Sequence, residues 1–196
     1  MKKILTLLIL VAFAAWSSYG AVATGYVWSQ NAAGTYTAVS GGTLVASGAL
    51  LDDNTYSTKP IGFTFYYNGN SYTQFGVADN GYIQLGGGTV ANSYGAFYDG
   101  MANAIGVYSG DLQGTASAEL RYVLSGTTPN QVLTIQWQNF RVYGDAGTTI
   151  NCQIKLYETS SKIDLCYGNC ASSATQYVVQ VGISGNPGTD YNIRAG

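Results

Sequence analysis

The sequence predicts an all-β chain folded as a two-layer antiparallel β-sandwich of jelly-roll type, and three observations carry that expectation. About ten segments of alternating apolar and polar residues recur at roughly 8–12-residue spacing, separated by Gly, Asn, Asp and Pro. No stretch of about ten residues shows the 3.6-residue apolar period of an amphipathic helix. The composition sets 26 Gly, 17 Tyr, 6 Phe and 3 Trp against 8 basic and 10 acidic side chains, which disfavours long surface helices and polyelectrolyte disorder alike. A length of 196 residues suits one well-buried domain.

Taken in order, Met1-Lys2-Lys3 is a short cationic start and residues 4–15 are apolar except for Thr6. This is the plan of a secretory signal peptide, and the run is shorter than the roughly 20 residues that cross a bilayer. Ala21-Val22-Ala23 places cleavage after Ala23, with Gly20 and Ala21 as competing positions. The expected division is a leader over 1–23 and one sandwich domain over 24–196, with no transmembrane segment after cleavage. Residues 25–51 are expected to form short strands between tight turns at Gly34, Gly41, Gly42 and Gly48. In 61–67, Ile61, Phe63, Phe65 and Tyr67 share one face, and Asn68-Gly69-Asn70 turns the chain into a hairpin with 72–77. Asp79-Asn80-Gly81 makes a second tight turn before 82–85. No clean period marks 91–100, and 103–108 fits a short strand or one helical turn. Segments 117–124 and 131–140 form a hairpin with a longer loop, whose core face is Leu133, Ile135 and Trp137. Strands holding Cys152 and Cys166 join through 158–161, and 177–183 is the last clear strand. Glu119 and Arg121 on the non-core face of 117–124 argue against a lipid-facing barrel.

Composition excludes several chemistries. The chain has no His, which removes Ser-His-Asp triads, His-based zinc sites and the usual near-neutral acid or base. Loss of Lys2 and Lys3 with the leader leaves six basic residues against ten acidic ones and moves the formal charge from −2 to −4. The remaining basic residues are scattered, so nucleic acid is not an expected partner. In an exported chain a disulfide is permitted. Alternation puts Cys152 with Ile150, Ile154 and Leu156, as a buried free thiol, whereas Cys166 lies opposite Ile163 and Leu165. Cys166 and Cys170, separated by Tyr167-Gly168-Asn169, are expected to close a local disulfide.

Three kinds of binding feature stand out. Tyrosine and tryptophan stack on sugar rings while their polar ends hydrogen-bond, which makes Trp28, Tyr94, Tyr98 and Tyr143 candidates for a carbohydrate site. Asp52, Asp53, Asp99 and Asp111 are loop carboxylates able to hold structural calcium, although no dedicated calcium-loop spacing is present. No other cofactor is indicated. Glu119 and Glu158 are the only glutamates, and neither sits in a pattern suited to glycoside hydrolysis, so no catalytic residue is named. A charge-poor surface rich in Tyr, Thr, Ser, Gln and Asn also permits self-association, with strand addition from residues 24–36 into a neighbour as one route.

Ile61-Gly62-Phe63-Thr64-Phe65, Val77-Ala78-Asp79-Asn80-Gly81-Tyr82-Ile83 and the segments 116–122 and 129–140 resemble a β-sandwich module of secreted, often multidomain surface proteins of Bacteroidetes and related bacteria. Some of those proteins end in a C-terminal sorting domain. The strand-turn-strand around Asn80-Gly81 is also similar to nidogen-like extracellular domains. The resemblance implies a non-catalytic adhesive or scaffolding role at the cell surface, with extracellular proteins, glycans or further copies of the chain as partners. It supplies no catalytic residues. Cys152, Cys166 and the Phe97-Tyr98-Asp99 segment depart from the family pattern. The expectation is a one-module protein or a piece of a multidomain one.

Overall fold

Eleven strands follow one another in the computed structural model, which describes residues 21–31 and 36–195. They are β1 (Thr43–Ser47), β2 (Thr55–Tyr67), β3 (Asn70–Ala78), β4 (Tyr82–Leu85), β5 (Ala104–Gly106), β6 (Leu112–Ser125), β7 (Val132–Val142), β8 (Ile150–Tyr157), β9 (Ile163–Tyr167), β10 (Val181–Ser184) and β11 (Tyr191–Ala195). One helical turn, α1 (Val22–Gly25), precedes them. The expected leader falls almost wholly on residues 1–20, outside the described residues.

Every pairing is antiparallel. One sheet has the order β1-β6-β7-β8-β9 and the other β11-β10-β5-β4-β3-β2, giving the two-layer, jelly-roll-like sandwich that the alternation predicts. The hairpins expected at 68–70, 79–81, 125–130 and 158–161 all form. Between the layers, Ile61, Phe65 and Tyr67 of β2 meet Leu133, Ile135 and Trp137 of β7 and Cys152, Ile154 and Leu156 of β8 in one cluster, all at most 1% exposed. Each such aliphatic or aromatic side chain contributes about 1.5–3 kcal/mol by leaving water. Two polar tips cross between the sheets. The Trp137 indole N–H donates to Ala78 O at 2.9 Å, and the Tyr167 hydroxyl to Val107 O at 2.6 Å. A second, smaller core lies where Tyr82 and Ala104 meet Val90, Ala96, Phe97 and Met101 of the long loop between β4 and β5.

Two segments differ from their alternation. Among the described residues of 25–51 only β1 joins a sheet, because small and polar residues before it attach through side chains instead of a backbone ladder; the turn expected at Gly34 lies outside the described residues. Val39 N–H donates to Gln136 Oε1 at 2.8 Å, and Gln153 Nε2 donates to Thr37 O at 2.8 Å and to Gln136 Oε1 at 2.7 Å. Residues 36–39 thereby strap the outer face of β7 and β8 and bury both glutamines completely. Similarly, 177–180 is not strand. Gln180 N–H is drawn to Tyr108 O and Ser109 O, while its side-chain oxygen accepts from Phe97 N–H at 3.0 Å, so pairing starts only at Val181.

Candidate functional site

The site that gathers most ionisable groups grows from the β3–β4 turn. Gly81 adopts φ +79°, and a Cβ there would stand 2.6 Å from Tyr108 Cβ, so glycine is required both for the turn and for the approach of residues 107–109. Its carbonyl accepts the N–H groups of Val107, Tyr108 and Ser109 at 3.0–3.3 Å. Asn80 is fully buried. Its oxygen accepts Leu112 N–H at 2.9 Å and its amide donates to Asp53 Oδ1 at 3.2 Å and Asn92 Oδ1 at 3.0 Å. The turn thus fixes the start of β6 and the 52–54 loop at one corner.

At that corner Asp52, Asp53 and Asp111 each offer a carboxylate oxygen, and these oxygens all lie within 4.8 Å of one another. Burial, then the Asp53 charge, raises the Asp52 carboxyl above its ordinary value. The Asp111 carboxyl is raised by burial and then by Asp53 and Asp52. Burial opposes ionisation of Asp53 too, but hydrogen bonds from Tyr94, Asn80 and Asn92 together hold it below the usual carboxylate range. Behind the group sits Asp79, 0% exposed and pushed up to about 6 by burial, against the lowering effect of two Asn54 hydrogen bonds and with Asp52 and Asp53 adding repulsion. Asp79 Oδ1 and Asp52 Oδ1 are buried without a hydrogen-bond partner. Among the described residues the two ion pairs are Arg121–Glu119 and Lys162–Asp164, so no basic side chain neutralises this corner. Clustered, partly dehydrated carboxylate oxygens of this kind form the donor set a hard divalent cation takes. Asp99 lies apart from them. Its carboxylate accepts from Ser93 Oγ at 2.6 Å and braces the long β4–β5 loop.

The four aromatic candidates engage four different neighbours. Tyr94, 52% exposed, donates to Asp53 Oδ2 at 2.6 Å, and that bond raises its hydroxyl to about 12. Tyr143 N–H donates to Asp111 O at 3.0 Å, beside the same corner. Tyr98 stacks edge-on against Tyr191 with centroids 6.2 Å apart. Trp28 donates to Asn192 Oδ1 at 2.6 Å and lies under the Arg194 guanidinium. Tyr26 and Trp28 are therefore engaged with their own sandwich, while Val27 between them is exposed.

A second concavity was not apparent from sequence. An open cleft of about 520 Å³ is lined by Tyr36, Ala38, Gln138, Asn139, Asn151, Tyr167, Gly168 and Asn169, with no charged side chain. Tyr167 buries its hydroxyl on Val107 although the residue as a whole is 46% exposed, and the Tyr36 ring packs over Gly168. Asn139 reaches the rim because the bulge between Trp137 and Phe140 gives it φ +57°. Asn139 N–H donates to Asn151 Oδ1 at 2.8 Å and Asn151 Nδ2 to Asn169 O at 2.7 Å, so the walls are carboxamides already held in place. In sequence the only trace was the density of amides in Gln136-Trp137-Gln138-Asn139 and Asn151-Cys152-Gln153. The lining comes from a strap and three strands that only the fold brings together.

The expected Cys166–Cys170 disulfide does not form; all three cysteines are free. Cys166 is held in the β8–β9 ladder opposite Gln153, whereas Cys170 Sγ lies at 3.4 Å from both Asn151 N and Asn151 O. The residues between them continue the path beside β8 instead of doubling back: Gly168 N–H donates to Asn151 O, and Ala171 pairs with Thr149. Cys152 is 0% exposed, and burial pushes its thiol well up.

A family model described as NIDO related matches residues 25–195, which takes in both sheets and both concavities. The chain belongs to this NIDO-related family. Membership agrees with the nidogen-like resemblance seen around Asn80-Gly81, the turn from which the acidic corner of this NIDO-related sandwich is built. No curated protein and no solved structure matches the chain. Among the described residues, no helix is long and apolar enough to cross a membrane.

Proposed function

We propose that this NIDO-related chain is a non-catalytic module of the extracellular space or cell surface with an adhesive or scaffolding role. The observation that carries the reading is the family match over 25–195, because it spans both sheets and with them both concavities. Export through the N-terminal leader and kinship with surface modules of Bacteroidetes-type proteins belong to the same proposal. The partners are extracellular proteins, glycans or further copies of the chain. Exported protein immobilised on a surface is expected to retain glycans or extracellular protein saturably. Turnover of a bound glycan, or recovery of the native protein from the cytoplasm, would overturn the reading.

The cleft favours a lectin-like form of this role. Two tyrosine rings and uncharged, preorganised carboxamides suit a neutral saccharide, which offers a C–H face for stacking and hydroxyls for amide bonds. Tyr167→Ala or Asn169→Ala should abolish saturable binding on a glycan array. Equal binding by both variants would place the contact elsewhere.

At the corner, Asp52, Asp53 and Asp111 are proposed to hold calcium. Ligand at about 100-fold over its Kd stabilises by about 2.7 kcal/mol, a Tm rise of about 5–10 °C for a domain of this size. Calcium chloride should produce that rise in wild-type protein and not in Asp111→Asn. An unchanged wild-type Tm at millimolar calcium would exclude the assignment.

A further inference from the structure

The first described residues are built into the domain more firmly than a discarded leader end would be. Val22 is 0% exposed and belongs to the main core cluster. One of its methyl groups lies so close to Gly185 that a Cβ on that glycine would stand 2.9 Å from it. Val22 N–H donates to Asp190 Oδ2 at 2.6 Å, across 168 residues of chain. Ala21 O in turn accepts Gly25 N–H at 2.7 Å and closes the single turn of α1. That turn aims the next residues: the Tyr26 hydroxyl accepts Asn68 N–H at 2.9 Å, and its ring lies 5.3 Å from that of Tyr67. The family match begins at Gly25, the last residue of that turn.

We propose that the leader is cut after Gly20, so that the mature chain begins at Ala21 with Val22 as a plug between β10 and β11. The inference rests on the export reading above. A cut after Ala23, the position Ala21-Val22-Ala23 suggests on its own, would remove Val22 from the core and leave Asp190 without that donor. Cutting after Ala21 would keep Val22 but remove the carbonyl that closes the turn. Of these three positions only the cut after Gly20 preserves both, and Ser18 and Gly20 supply the small residues that the peptidase reads three positions and one position before the scissile bond. Ala21 is exposed, so its new ammonium group stays in water.

Intact-mass measurement and N-terminal sequencing of the exported protein test the proposal. A chain beginning Ala21-Val22-Ala23-Thr24 is expected. A start at Val22 or Thr24 overturns the assigned position while leaving export intact, whereas a chain retaining Met1 overturns the export reading itself. A second measurement uses Val22→Ser in the same full-length precursor. If Val22 remains in the mature domain, Tm falls by about 5 °C or more, since each lost kcal/mol shifts a domain of this size by about 2–4 °C. A Tm identical to wild type overturns the plug.

Discussion

Asp79 shows how a residue can be visible in sequence and its environment not. Asp79-Asn80-Gly81 signals a tight turn, and the turn is there, but the signal does not say that the aspartate side chain is enclosed while its neighbours Asp52 and Asp53 come from a loop 25 residues or more away. The carboxyl titrates near 6 in the fold against 3.8 for the free group. Between those values the folded state holds a proton that the unfolded chain releases. Its contribution is therefore complete below 3.8 and lost as pH rises through 6, at a cost of up to about 3 kcal/mol. In EDTA, wild-type protein should lose Tm between pH 4 and 7 relative to Asp79→Asn, which keeps an oxygen to accept the Asn54 bonds. Parallel pH profiles for the two proteins would refute this assignment. The thiols carry the opposite lesson. Alternation alone separates Cys152 from Cys166, but a C-x-x-x-C spacing does not fix the path of the backbone between its ends. Three alkylations are expected in denatured, unreduced protein, with Cys170 first and Cys152 last in the native state. Fewer than three would restore a disulfide.

At the level of strands and turns, the hairpins were legible because Asn-Gly turns and period-2 alternation state register locally. Segments 36–39 and 177–180 were not, since their backbone groups are satisfied by glutamines and carbonyls from elsewhere in the chain. The same distinction separates the two concavities. Asp52, Asp53 and Asp111 could be nominated as carboxylates in loops, whereas a cleft walled by a strap, a bulge and three strands leaves no local mark. Two substitutions probe the elements directly. Trp137→Phe removes the indole bond from β7 to Ala78 of β3 and should destabilise by about 2–4 kcal/mol, from an orphaned carbonyl plus a cavity. Gly81→Ala forces a side chain into φ +79° against Tyr108 and should cost about 2 kcal/mol or more. Urea denaturation measures both. With a slope of about 1–3 kcal/mol per M, a midpoint shift below about 0.3 M for either variant would contradict the structural role of that residue.

Across the whole molecule, ten acidic and eight basic side chains in 196 residues, with two ion pairs among the described residues, leave burial and hydrogen bonding to hold the layers together. Salt should accordingly change Tm little: between 0.05 and 1 M sodium chloride a shift under about 3 °C is expected in EDTA, because screening acts on few attractive pairs. The placement of tryptophans adds an optical consequence. Trp16 leaves with the proposed leader, Trp28 is partly buried near β11, and Trp137 is wholly enclosed between the layers. A dry indole emits at shorter wavelength than a wet one, so the blue component of this protein's intrinsic fluorescence belongs to Trp137. Its red shift would time the parting of the sheets without any attached dye.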